Sequence, residues 1–148
     1  MNKIILALVL GLIIVLSFVT IFVFFDRPIE EEEGKLYTFP LLIGENTYTV
    51  SVFSNYSSAP EVSYFGLLKS VSIYFKGEQK NAFSNITITK DLIWGDISLY
   101  QHGFELDKDS YLQTSNRTHN SLYFTFDLPA YTKDFAIMGT EGVIGIST

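Results

Sequence analysis

The chain has 148 residues, of which 47% are hydrophobic, 18% are charged and none is cysteine. This length suits one ordinary domain, and the lack of cysteine excludes disulfides, thiol catalysis, cysteine-ligated zinc and iron–sulfur clusters. The net charge of −6 argues against nucleic-acid binding, which needs a basic face.

The first predicted element is a transmembrane helix. Residues 4–25 carry no charge, and Ser17 and Thr20 are their only polar side chains. As a helix this run spans about 33 Å, enough to cross a hydrocarbon core of about 30 Å. We predict an uncleaved anchor over residues 1–26. One alternative is a secretory signal peptide, which needs a shorter apolar core and a small-x-small cleavage site. Another is a type IV pilin leader, which usually carries an acid near the helix start and a basic-Gly site before it.

The flanks of this helix suggest its orientation. Lys3 precedes it, and acidic residues follow it, although Arg27 opposes the bias. A short N-terminal tail with a whole domain after the helix favours an N-in, C-out topology. We therefore expect a single-pass protein of the cell membrane with an extracellular C-terminal domain. That outer region holds nine basic and sixteen acidic residues.

Residues 27–35 form a predicted acidic stalk. Four consecutive glutamates, Glu30 to Glu33, repel one another, and Gly34 adds conformational freedom. We interpret the segment as a solvated spacer. The alternative is a cation-binding cluster, but adjacent carboxylates without rigid geometry bind cations weakly. They also lack the fixed separation that a catalytic acid–base pair requires.

Residues 36–148 are predicted to form one extracellular β domain. Short runs rich in β-branched and aromatic residues alternate between apolar and polar positions and are separated by turn signals. The predicted strands cover Leu36–Ile43, Thr47–Ser54, Glu61–Phe65, Ser70–Phe75, Phe83–Thr89, a hairpin over Asp96–Leu106, Ser110–Ser115, Ser121–Phe126 and Lys133–Thr140. A series of short strands separated by turns in this way favours an all-β antiparallel sandwich of the immunoglobulin/fibronectin-like type.

Three segments between or after the strands carry more specific predictions. Residues 76–81 form a charged turn around Gly77, and residues 90–95 form a helical turn or corner closed by Gly95. Trp94, the only tryptophan, is expected to plug the core at one end of the sandwich. The tail, residues 141–148, is expected to add an edge strand or to fray.

Motifs for chemistry are absent. His102 and His119 lie in different predicted turns, and there is no H-E-x-x-H, G-x-S-x-G, P-loop or G-x-G-x-x-G pattern. Residues 107–109 read as a solvated turn, because calcium would need more oxygen ligands. We predict no catalytic residue, no metal site and no cofactor.

Three N-glycosylation sequons are present. They begin at Asn55, Asn85 and Asn116, within N-Y-S, N-I-T and N-R-T. Asn55 and Asn116 fall in predicted loops, whereas Asn85 falls at the start of a predicted strand and must face outward if it is used. The alternative is that all three are ordinary polar residues. The sequons lie in the region predicted to be outside the membrane, so they agree with the topology.

Three blocks of residues match a recurring sequence pattern. Residues 85–95, NITITKDLIWG, are similar to the pattern N-V-T-I-P-K-D-L-L-W-G. Residues 114–126, TSNRTHNSLYFTF, resemble T-S-N-x-T-H-T-S-L-Y-F-T-Y, and residues 135–140, FAIMGT, resemble a closing I-E-I-x-G-T strand. The order and spacing of these blocks agree over most of residues 36–140, and the chain thereby resembles a β module of archaeal cell-surface proteins, often from methanogens. The resemblance implies an exposed, glycosylated sandwich and supplies no catalytic residue.

The chain departs from this module in two ways. Thr89 stands where the pattern has proline, which is expected to lengthen that strand. The module usually precedes a C-terminal anchor in a larger surface protein, whereas the predicted anchor here is N-terminal.

Two functions follow as expectations. The first is a non-catalytic, membrane-anchored surface module with structural roles, or with envelope proteins or glycans as partners. The second is an accessory subunit of a membrane or envelope complex, such as a filament, transporter or secretion assembly. An exposed apolar patch on the sandwich would favour the second. An enzyme is a distant third, and nucleic-acid binding is not expected.

Overall fold

The computed structural model describes residues 33–128 and 133–147. This part of the chain contains ten strands, one 3₁₀ turn at Lys108–Ser110 and no α-helix. The strands are β1 (Lys35–Ile43), β2 (Asn46–Ser54), β3 (Glu61–Phe65), β4 (Ser70–Phe75), β5 (Gln79–Thr89), β6 (Ile93–Gln101), β7 (Phe104–Glu105), β8 (Leu112–Ser115), β9 (His119–Leu128) and β10 (Lys133–Gly142). The predicted anchor, residues 1–26, and most of the predicted stalk lie outside the described residues.

The strands form two five-stranded sheets in which every pair is antiparallel. The first sheet has the order β1-β2-β5-β9-β8, and the second has the order β3-β4-β10-β6-β7. Hairpins join β1 to β2, β3 to β4, β6 to β7 and β8 to β9, and the other connections cross between the sheets. The predicted all-β class with antiparallel sheets is therefore confirmed.

The predicted alternation places the apolar side chains between the sheets. In β2, β4 and the second half of β5, every second residue points inward, which is the geometry of a pleated strand with one buried face. The fully buried members include Val50, Val52, Val71, Ile73, Phe75, Ile86, Ile88, Leu122 and Ile137. The inward positions predicted in β2, β4, β5, β9 and β10 are confirmed.

A cluster of aromatic rings joins the two sheets directly. Phe124 of β9 lies 4.8 Å from Phe135 of β10, and Phe126 of β9 lies 5.1 Å from Phe75 of β4, measured between ring centroids. Tyr56, in the loop after β2, packs edge-on to Phe75 at 4.9 Å. These spacings are typical of favourable aromatic pairs, so the rings both fill the interlayer space and fix the sheets face to face.

The prediction that Trp94 plugs the core is wrong. Trp94 lies in β6 with 42% of its surface exposed, and Leu92 and Ile93 fill this end of the core instead. Gly95 does not close a turn. Its positive φ of 79° forms a β-bulge opposite Thr140, where the register of β6 and β10 shifts. A side chain at this position would collide with the Thr140 hydroxyl.

The C-terminal segment extends the edge of the second sheet. Phe65 of β3 forms an antiparallel bridge with Ile146, and the Gly66 N–H donates to the Gly145 carbonyl at 2.6 Å. The buried Tyr64 hydroxyl donates to the Val143 carbonyl at 2.6 Å. The predicted edge strand is thus present only as this single β-bridge, and residues 141–142 belong to β10 instead.

The ring cluster yields a test of stability. Phe75→Ala is expected to lower the free energy of unfolding by about 3–5 kcal/mol, because it leaves a cavity among the rings of Tyr56, Phe126 and Phe135. Phe104→Ala is the matched control, since Phe104 is 77% exposed, and we expect a change within about 0.5 kcal/mol. Chemical denaturation of the two variants measures both values. Equal losses would contradict the central role of the cluster.

Candidate functional site

The three sequon asparagines occupy different environments. Asn55 lies directly after β2, Asn85 lies within β5, and Asn116 lies in the turn between β8 and β9. Asn55 and Asn85 are half-buried, whereas Asn116 is exposed. Asn55 bonds to Phe83, two residues before Asn85 in β5, whereas Asn116 lies in a turn of another strand pair, so the structure does not bring all three together.

Asn55 uses both ends of its amide to hold β5. Its Nδ2 donates to the Asn81 carbonyl at 3.1 Å, and its Oδ1 accepts the Phe83 N–H at 2.8 Å. These contacts lie where β5 bulges against β9, next to Asn81 with its positive φ of 52°. The predicted charged turn is correspondingly shorter, because β5 already begins at Gln79. Asn55 therefore stabilises the backbone of β5 at this bulge.

Asn116 is held in a side-chain-capped turn. Its Oδ1 accepts hydrogen bonds from the Thr118 N–H at 2.9 Å, the Thr118 hydroxyl at 3.3 Å and the His119 N–H at 2.8 Å. Its Nδ2, the atom to which a glycan is joined, has no hydrogen-bond partner among residues 33–128 and 133–147. A glycan joined at this nitrogen would therefore displace none of the hydrogen bonds of the turn.

Asn85 lies near the centre of the first sheet on its outward face. Ser84 and Ile86 on either side of it are fully buried, so the alternation directs Asn85 away from the core. The condition stated for its use, that it face outward, is met. Its Oδ1 is buried and makes no hydrogen bond. The hydroxyl of Thr87, the third sequon residue, lies 2.9 Å from the Ser121 hydroxyl.

An apolar band crosses the outward face of the first sheet through Asn85. The register places one residue of each strand in a single line, which we call the transverse row: Leu36, Phe53, Asn85, Tyr123 and Leu112. Leu36 and Leu112 at its ends are 66% and 62% exposed. Phe83 packs against both Phe53 and Tyr123, with centroid distances of 5.6 and 6.0 Å. Asn85 is the only member of the row with a polar amide.

A second apolar surface lies at the end of the sandwich where β3 turns into β4. We call it the apolar end and define it by Phe65, Leu67, Leu68, Ile144 and Ile146. All five are exposed, up to 88% for Leu67 and 84% for Ile144. The hydrogen bond between Gly66 and Gly145 holds the two segments together. Sequence reasoning missed this surface, although a turn reading F-G-L-L, without polar residues, was an available signal.

The two histidines lie in different sheets. His102, at the β6–β7 turn, has its Nδ1 3.3 Å from Asp134 Oδ1, and His119 belongs to the other sheet. Within residues 33–128 and 133–147 no group of three or more histidines and acids could hold a metal ion.

Two clefts lie on the surface. One, of about 350 Å³, is lined by Asn46–Thr49 with Thr89 and Asp91. The other, of about 450 Å³, is lined by Glu33–Lys35 with Ser54–Ser57.

The groups with a shifted pKa keep their ordinary charge at neutral pH. Burial raises the pKa of Tyr56, and burial followed by the neighbouring Tyr48 raises the pKa of Tyr64. The hydrogen bond and the charge of Glu61 raise the pKa of Lys76. A raised pKa leaves a phenol neutral and an amine cationic, so these shifts create no general base.

Among the described residues, no helix is long and apolar enough to cross a membrane. In comparisons with known proteins, no family model, no curated protein and no solved structure matches the chain.

The two loop sequons differ in a testable way. In protein made without glycans, Asn55→Ala is expected to lower the free energy of unfolding by about 1–3 kcal/mol, because it leaves backbone groups of β5 unpaired. Asn116→Ala serves as the control and is expected to cost less than half as much, since water replaces its contacts at the exposed turn. Denaturation curves of both variants decide the point, and a larger loss for Asn116→Ala would contradict it.

Proposed function

We propose that the chain is a non-catalytic, membrane-anchored β-sandwich module of the cell surface, with a structural role or with envelope proteins or glycans as partners. The observation that carries this proposal is the order of its parts. An uncharged apolar run over residues 4–25 and an acidic segment precede a domain whose described fold is entirely β. In this proposal residues 1–26 span the cell membrane, N-in and C-out, and the domain is extracellular. It uses no cofactor and binds no nucleic acid.

The position of the apolar end supports a domain that is tethered near Lys35 and displays its opposite end. The described chain enters the sandwich at Lys35, and β1 runs from there to Ile43. A side chain at Gly145 would collide with Ile43, so the C-terminal segment lies at the far end of β1. Eight residues of strand correspond to about 27 Å. A tether attached before Lys35 would thus leave the apolar end as the part of the domain remote from its attachment.

The finer assignments belong to the same proposal. The resemblance to the archaeal cell-surface module supports an exposed, glycosylated sandwich, with Asn55, Asn85 and Asn116 as the sites of glycan attachment. We also propose the immunoglobulin/fibronectin-like subtype. The two sheets here carry five strands each, more than the four and three of the constant-type immunoglobulin domain.

The alternative function is an accessory subunit of a membrane or envelope complex. The apolar end favours it, because five exposed apolar side chains in one place are a common mark of a protein contact. Its occupant would be another protein of the complex, with an apolar surface of its own. In that case the predicted anchor would also pack against other transmembrane helices.

Surface exposure can be tested by protease treatment of intact cells. A glutamate-specific protease is expected to cut the predicted stalk at Glu30 to Glu33 and to release the domain. The released domain should be heavier than its polypeptide by the mass of the attached glycans. Permeabilised cells serve as the control, because they also show cleavage of a domain that faces the inside of the cell. Complete protection in intact cells, with cleavage only after permeabilisation, would contradict the proposed topology.

The alternative function predicts a dependence on the apolar end. Leu67→Glu is expected to reduce the mass of the detergent-solubilised particle to that of a single chain, because a charge at 88% exposed Leu67 disrupts an apolar contact. Phe104→Glu is the control, since Phe104 is similarly exposed on the β6–β7 hairpin. Light scattering of both variants measures the effect. A wild-type particle with the mass of one chain would rule out a stable complex.

A further inference from the structure

We propose that Asn85 carries an N-linked glycan that lies on the transverse row. The first sugars of this glycan contact the flanking rings of Phe53 and Tyr123. This inference rests on the proposed function, because the glycan requires that the domain reach the outside of the membrane. It assigns a role to an apolar surface that the core does not use.

The register gives the row its shape. Asn85 is directly opposite Phe53 of β2 on one side and Tyr123 of β9 on the other. Neighbouring strands are about 4.8 Å apart, so the five positions span about 19 Å across the sheet. Directly opposed side chains in an antiparallel pair are close enough to contact. A group attached to Asn85 therefore has an aromatic ring on each side, and Leu36 and Leu112 lie beyond those rings.

The chemistry of the row fits a sugar. Outward faces of sheets are normally polar, whereas this row holds two exposed leucines and two half-buried aromatic residues. A pyranose presents a face of C–H bonds to such rings and keeps its hydroxyl groups toward water. Ring faces carry partial negative charge, which attracts C–H groups. A sugar can thus cover the row and leave a hydrophilic surface.

The Asn85 amide oxygen lacks a hydrogen-bond partner that a sugar could supply. Its Oδ1 is buried without a hydrogen-bond partner, which normally costs stability. A sugar joined at Nδ2 brings its own donors next to this oxygen. Phe83, Asn85 and Thr87 share the outward face, because alternate residues of β5 point the same way. The sequon and its aromatic neighbour therefore lie along one line of the strand.

The attachment step balances with a lipid-linked sugar as donor. Asn85 Nδ2 forms a bond to the anomeric carbon, the bond from that carbon to the lipid phosphate breaks, and the lipid phosphate and one Nδ2 proton are released. Because β5 is paired to β2 on one side and to β9 on the other, the acceptor segment around Asn85 is held extended in the folded sheet, and we expect transfer before the first sheet closes. Transfer to Asn116, in its exposed turn, has no such requirement.

The test uses the full chain, produced in one host that N-glycosylates exported proteins and in one that does not. Glycopeptide mass spectrometry measures occupancy at Asn55, Asn85 and Asn116. We expect Asn85 to be occupied and the glycosylated chain to melt about 4 °C higher than the unmodified one. In an Asn85→Gln variant this difference should disappear, whereas the matched Asn116→Gln variant should keep it.

The contact with the rings has its own readout. In a variant with Phe53→Ser and Tyr123→Ser, the gain in melting temperature from glycosylation should fall to half or less. Should that variant fail to fold, proton spectra of the wild-type glycoprotein decide instead. Sugar C–H resonances of the Asn85 glycan should be shifted upfield by the rings, and those of the Asn116 glycan should not.

The outcomes separate the inference from the proposed function. Glycan at Asn116 with none at Asn85 would overturn the inference and leave the surface topology standing. An occupied Asn85 without upfield shifts or a melting difference would also overturn it, and would point to a protein or lipid on the row instead. Absence of glycan from every sequon would overturn it as well, and protease treatment of intact cells would then decide the topology independently.

Discussion

The contact of aromatic rings across the two sheets is the interaction on which the rest of the structure depends. Phe124 and Phe126 come from one sheet and Phe75 and Phe135 from the other, and their rings meet at distances of 4.8–5.1 Å. Each sheet has one apolar face that must be covered, and the rings supply the volume that does so. The apolar residues on the outward faces and at the ends of the sandwich lie outside this core. The apolar residues found there, in the transverse row and at the apolar end, therefore call for another explanation.

The end of the sandwich nearest Lys35 shows how buried polar groups are satisfied around this core. The fully buried Ser54 donates its hydroxyl to the Phe83 carbonyl at 2.5 Å and accepts the Tyr56 N–H at 3.1 Å. The Tyr56 hydroxyl donates to the Lys76 carbonyl at 3.0 Å, so the ring that joins the cluster is also tied to the turn after β4. Together with Asn55, these residues link both sheets by polar contacts beside the apolar core. The first sequon is thus part of the support of the fold.

Sequence periodicity was sufficient for the parts of the structure that local rules control. The period of two identified the inward residues of β2, β4, β5, β9 and β10, because one buried face imposes that pattern. It failed where a bulge changes the alternation, at Gly95 and at Asn81, since nothing in the local sequence distinguishes a glycine that ends a turn from one that bulges a strand. The transverse row was beyond reach for a different reason. Its members are far apart in the chain, and only the register of four strand pairs places them in one line.

The place of β10 in the second sheet constrains how the chain is made. β10 is the last of the ten described strands along the chain, yet it lies in the middle of its sheet, between β4 and β6. Until residues 133–142 emerge, the β3–β4 and β6–β7 hairpins have no shared neighbour, and Phe135 is missing from the ring cluster. Pairings between distant segments form slowly, and half-built sheets expose strand edges. The second sheet can therefore be completed only after residues 133–142 have been synthesised, because β4 and β6 each pair with β10 and not with each other.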